Sequence, residues 1–337
     1  MINYRHWIGA VLAVAFPVVA AGQPLPADES EEKKVAPGTT RLRLPAAKPA
    51  WTASRTAGSA YWVAPATEEK ASAQDPQQPA PPADPPGIAD NSFLIEEAYN
   101  QEYGVVQHIN TFSKAIRGNG WDYSFTQEWP WNPAPKTQLS YTITAVSGGV
   151  PGAGGGLGDI LLNYRYQLLG EGDDRVWFSP RASLLVPSGD SRRGRGAGGV
   201  GMQFNLPVSW QVADKWVTHW NAGATIVPRA KNEVGDKATT AGYFLGQSFI
   251  YQASPVFNLM LETLLDHEQS VAAPDRAVWE RVSVTLNPGF RWAHNFQSGL
   301  QIVPGIAFPV EVGNAGRGNW GIFLYLSLEH PFGKRAP

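Results

Sequence analysis

The chain has 337 residues, with 27 basic and 29 acidic side chains and a formal net charge of −2. It has no cysteine, which excludes a disulfide framework, a thiolate metal site, a thiol nucleophile and a lipoprotein anchor. The near-neutral balance argues against a nucleic-acid binder, and 17% charged with 11% aromatic residues fits either a large core or a surface that does not face water.

Residues 1–22 read as a cleaved secretory signal. Arg5 and His6 form a basic end, Trp7 to Ala21 is apolar, and small residues follow at the expected cleavage site near Ala21 or Gly22. No later stretch is long and apolar enough for a membrane helix. Residues 23–90 hold 12 Pro and 15 Ala. Such a segment buries too little apolar area to offset its ordering entropy, and it is expected to be a disordered linker on the periplasmic side. Residues 91–103, with Phe93-Leu-Ile-Glu-Glu-Ala98, are the one helix-compatible stretch, expected to be a short helix or a plug-like lead-in.

From residue 104 the hydrophobic period is two. In 199–212, Met202, Phe204, Leu206, Val208, Trp210 and Val212 share one parity, and Gln203, Asn205, Ser209 and Gln211 share the other. The spacing predicts 12 strands near 104–114, 121–130, 137–146, 157–169, 175–187, 199–212, 215–228, 242–252, 255–265, 278–292, 297–309 and 320–332. Several are long enough for a tilted strand to cross a bilayer. Short links follow the even strands and longer links, such as 188–198, 229–241 and 266–277, follow the odd ones. Ten of the 13 Trp lie from Trp121 to Trp320, many near strand ends, where an aromatic girdle would sit. These features predict an all-β fold, a transmembrane antiparallel up-and-down barrel over 104–332, followed by a tail at 333–337. A secreted β-sandwich would alternate too, but with shorter strands.

If the apolar parity faces lipid, the other parity lines the lumen. That places Asp122, Glu128, Asn163, Arg165, Arg181, Gln203, Asn205, His219, Asn221, Asn258, Glu262, Arg281, Arg291, Gln301 and Glu329 inside. Buried charges need partners, so these side chains pair internally, set a selective constriction, or do both. Ser191-Arg192-Arg193-Gly194-Arg195 lies in a long loop, either solvated or drawing lipopolysaccharide phosphate. The terminal run closing at Phe332 is the kind of strand that barrel-assembly machinery reads. The six His are scattered, and no Ser-containing hydrolase constellation or metal-ligand spacing is evident. No catalytic, cofactor or metal residues are assigned.

Several stretches resemble the outer-membrane proteins grouped as "MetA-pathway of phenol degradation". They are Phe93 to His108, Gly158 to Tyr166, Pro180 to Asp190, Asn205 to Trp210 and Trp216 to Gly223. The resemblance covers roughly 91–332. Tyr103 stands where that pattern has Pro, and the linker is longer than usual. The resemblance implies an outer-membrane barrel passing small compounds, aromatic ones included, and it carries over no site residues. The sequence thus leaves three readings: a channel for small solutes, a closed structural barrel that tethers the envelope or displays loops, and, third, a membrane-embedded hydrolase.

Overall fold

The computed structural model describes residues 87–88, 91–117, 120–131, 136–147, 152–273, 277–312 and 319–332. The expected signal segment, the tail at 333–337 and all of the expected linker except residues 87 and 88 lie outside the described residues.

Twelve strands follow one another round a closed barrel. They are β1 (Val105–Ala115), β2 (Trp121–Pro130), β3 (Thr137–Ser147) and β4 (Gly155–Tyr166). Next come β5 (Val176–Phe178 and Arg181–Val186), β6 (Gly201–Asn205 and Val208–Ala213), β7 (Trp216–Lys231) and β8 (Lys237–Ser254). The wall is completed by β9 (Phe257–Ala273), β10 (Ala277–Trp292 with His294–Asn295), β11 (Gln301–Ala307 and Val310–Val312) and β12 (Gly321–Pro331). Every pairing is antiparallel. The seam joins β12 to β1 from Val105↔Pro331 to Ala115↔Gly321. Closure leaves no free strand edge in the wall.

Four strands are interrupted, three of them at Pro180, Pro207 and Pro309 and β10 at Ala293. Proline has no N–H to give to a ladder. The first two are bridged because Ser179 N donates to Pro207 O at 3.1 Å, and at the third Phe308 N donates to Pro288 O at 2.9 Å.

Two expected loops are mostly strand. Residues 229–241 shrink to a turn at Asn232–Asp236, and 266–277 continues β9 to Ala273 and resumes β10 at Ala277. In Asp266-His-Glu-Gln-Ser270 both parities are polar, so no apolar face marks a strand. The backbone ladder with β10 continues nonetheless, through Glu268↔Arg281 and Ser270↔Trp279.

The outer face is apolar. Met202, Phe204, Leu206 and Trp210 of the β6 stave are exposed, while Gln203, Asn205 and Ser209 are buried. Phe249, Leu259, Leu261, Leu324 and Leu326 continue the exposed belt on other strands. This arrangement is the reverse of a water-soluble sandwich. The interior is not uniformly polar, however. Ile250, Met260, Leu264, Val303, Ala307, Phe323 and Tyr325 form an inward apolar patch on β8, β9, β11 and β12. The interior is thus polar on one side and apolar on the other.

Candidate functional site: a segment seated in the lumen

Residues 91–101 enter the barrel and cross it. They carry bends and no helix, in contrast to the helical option read from their composition. Leu, Glu and Ala favour a helix only weakly, and here the barrel wall makes stronger claims on the backbone. Leu94 N donates to Glu262 Oε1 at 3.0 Å, Glu96 N to Asn221 Oδ1 at 3.0 Å and Ala98 N to Ser209 Oγ at 2.8 Å. Further along, Asn100 N donates to Gln167 Oε1 at 3.0 Å and Gln101 N to Gln138 Oε1 at 2.7 Å. Asn221 Nδ2 donates to Glu96 O at 2.7 Å, and the Arg291 guanidinium to Asn91 O. Each of these bonds joins segment backbone to a wall side chain. The segment therefore adds no strand to the sheet.

Its apolar end matches the apolar patch. Phe93 packs against Phe323 and Tyr325, with ring centroids 5.8 and 5.7 Å apart. Gly289 and Gly305 make room for it, since a Cβ on Gly305 would stand 2.5 Å from Phe93 Cε1. The exit into β1 turns at Gly104, whose φ of 80° suits glycine.

Glu96 meets the polar side. Arg181 Nε donates to Oε2 at 2.8 Å and to Oε1 at 3.1 Å, Arg165 Nη1 donates to Oε1 at 3.3 Å, and Asn205 Nδ2 donates to Oε2 at 2.8 Å. Burial pushes the Glu96 carboxyl up, but Arg181, Arg165 and the bond from Asn205 outweigh it, so the net displacement is downward. Arg165 also donates to Glu97 O, Tyr99 O and Asn100 Oδ1. Glu128 stands 3.9 Å from Arg165 and accepts from Gln138 Nε2 at 2.5 Å. The Tyr99 ring meets Trp177 edge-on at 4.8 Å, and burial pushes its phenol up.

The sequence-derived lining residues divide into groups. Glu128, Asn163, Arg165, Arg181, Gln203, Asn205 and Asn221 gather around Glu96, and Glu262 holds Leu94. His219 is buried with Nδ1 2.7 Å from Ser209 Oγ. Asn258, Arg291, Gln301 and Glu329, with His219, line a cavity of about 800 Å³ between the segment and the short turns. The Asn258 amide has no hydrogen-bond partner among the described residues. Arg281 pairs with Glu311 toward the opposite end. Asp122 also sits apart from the Glu96 cluster, and its Oδ1 is buried without a hydrogen-bond partner among the described residues.

Sequence reasoning missed the segment's own contribution, Glu96 above all, because Glu96 lies before the alternating region. It also passed over Asp266, which hydrogen-bonds Glu268, because both lie in an expected loop. A third omission is His108–His330, with Nε2 atoms 3.2 Å apart across the seam. Their sequence separation of 222 hides the pair from any spacing rule. In the arginine loop, Asp190 pairs with Arg193 and Arg195 at 3.4 and 3.7 Å. No group of three metal-ligating side chains occurs among the described residues.

These features define a closed twelve-stranded barrel occupied by a segment of its own chain. No family model matches the chain, and no curated protein does either. The phenol-degradation label therefore remains a resemblance. Similar solved structures are barrels. A NanC porin is 11% identical with a TM-score of 0.44, covering 67% of this chain and 98% of that one. A KdgM porin is 9% identical with a TM-score of 0.39, covering 67% and 99%. The CymD monoaromatic hydrocarbon channel is 12% identical with a TM-score of 0.34, covering 70% and 90%. At such scores the likeness carries no argument, and the assignment as a barrel rests on the strand pairing itself.

Proposed function

We propose that the chain is an outer-membrane channel for small solutes whose resting lumen is stoppered by residues 91–101. The observation carrying this reading is how the stopper is held. Its backbone is gripped by wall side chains, so it can leave without breaking one bond of the barrel ladder. The exposed apolar belt supports residence in lipid. The short-turn end, where the segment enters, is taken as the periplasmic one, and lipopolysaccharide and the assembly machinery are the envelope partners. The resemblance noted above adds small hydrophobic or aromatic compounds as solutes.

The test is single-channel recording in planar bilayers. The full chain is expected to open rarely. A Phe93→Ala/Glu96→Ala variant, which loses the apolar and the charged side-chain anchor of the stopper, is expected to open often. A folded variant that never conducts would overturn the channel.

The second reading is a closed structural barrel. It is favoured by the burial of Arg165 and Arg181, which are costly to uncover once their partners leave. Silence from both proteins, with the envelope weakened when the chain is removed, would support it.

A further inference from the structure

We propose that the Arg165–Arg181 cluster of the wall is a binding site for small organic carboxylates, and that Glu96 occupies it in place of a solute. The inference rests on the channel reading for its purpose, but its chemistry can be tested apart from conduction.

The wall supplies every donor that holds the Glu96 side chain. Two guanidinium groups and the Asn205 amide, from β4, β5 and β6, converge on its two oxygens at 2.8 to 3.3 Å. Strand-borne neighbours hold Arg181 and Asn205 in place. Arg181 Nη1 donates to Asn163 Oδ1 at 3.1 Å and Nη2 to Gln203 Oε1 at 3.0 Å, which leaves Nε for the carboxylate. Gln203 Nε2 in turn donates to Thr225 Oγ1 at 3.0 Å, and Asn163 Nδ2 to Ser140 Oγ at 3.1 Å. Arg181 and Asn205 are thus organised by the wall before any ligand arrives, Arg165 keeps Glu128 of the wall at 3.9 Å, and guanidinium with amide matches carboxylate geometry.

The charges are unequal without the segment. Arg165 and Arg181 then face one wall carboxylate in this cluster, Glu128, whose Oε2 is 3.9 Å from Arg165. Glu96 supplies the missing negative charge. Beyond its backbone, its side chain is chemically a propanoate. When the segment withdraws, the cluster has one positive charge in excess inside a low-dielectric wall, and a solute carboxylate is the group that replaces Glu96 most directly. Such a site would pass carboxylate-bearing solutes in preference to neutral or cationic ones.

The probe is propanoate, with chloride at equal ionic strength and propanamide as controls. In Glu96→Ala the full chain is expected to melt below wild type. Propanoate should raise its melting temperature saturably, propanamide should not, and wild type should respond far less. If this variant refolds poorly in chloride, its refolding yield in propanoate replaces the melt. In wild type, propanoate competing with Glu96 should speed amide hydrogen exchange over residues 96–101 while leaving the strands unchanged. Absence of a carboxylate-specific effect in both experiments overturns the site. Conductance by the Phe93→Ala/Glu96→Ala variant without that effect would leave the channel standing and remove the site. Rescue by propanoate without conductance would keep the site and remove the channel.

Discussion

Glu96 is nearly inaccessible, and its carboxyl is held below its ordinary value of 4.5. Burial alone would raise it, so Arg181, Arg165 and Asn205 together overcome the desolvation. The lowered folded value fixes the direction of the pH dependence. The stability that this group contributes is fully present above the unfolded value and is lost as pH falls through the folded one. Acid melts of wild type should therefore show a falling limb that is shallower in Glu96→Gln. Equal limbs would mean that other carboxylates carry the acid sensitivity. At neutral pH, removing one partner of a buried pair costs about 3–5 kcal/mol, so Glu96→Gln should also melt lower. Arg165→Lys tests the other side of the contact. A lysine has no planar fork to span Glu97 O, Tyr99 O and Asn100 Oδ1 together. It should speed hydrogen exchange in the segment more than in the strands.

At the scale of elements, the strands were legible and the stopper was not, for one physical reason. A strand between lipid and lumen has unlike faces, and period two records them, as in Gln203, Asn205 and Ser209 against Phe204, Leu206 and Trp210. The stopper has barrel wall on every side, so Phe93, Leu94, Ile95, Glu96 and Glu97 are all buried in succession and no period survives. Where β9 has polar residues on both parities, from Asp266 to Ser270, the pattern fails in the opposite way and the strand was read as a loop. Parity groups the lining residues on one face of their strands, but their partners were not legible, since Glu96 reaches across the chain to Arg165, Arg181 and Asn205. The fit of stopper to wall also gives a test that leaves those charges untouched. A side chain at Gly305 must displace the Phe93 ring. Gly305→Val should cost about 1–3 kcal/mol through overpacking, release the stopper and raise open probability in bilayers. A stopper still protected from exchange in that variant would show that Phe93 is not one of its anchors.

The barrel wall buries a large set of polar groups and exposes a belt of large apolar side chains, and only an apolar surrounding makes that belt stable. In β12, Phe323, Tyr325 and Ser327 are buried while Leu324 and Leu326 are exposed. The exposed pair lies midway along the strand, opposite Phe112 and Asn110 of β1, far from either rim. In water such a belt would drive aggregation. In a bilayer it meets acyl chains, and a charge placed there must be desolvated. Leu326→Arg should therefore destabilise the barrel by about 2–4 kcal/mol in lipid vesicles, as expected for the midplane of an outer-membrane strand. The same change at Val234, exposed in the turn between β7 and β8, should cost close to nothing. Denaturant titrations of both variants refolded into vesicles measure the difference. Equal stabilities would mean that Leu326 does not face lipid, and the transmembrane reading of the belt would fall with it. A cost confined to Leu326 would fix the midplane of the barrel. It would also place the Glu96 cluster at a measurable depth along the lumen, because strand register relates every inward residue to Leu326.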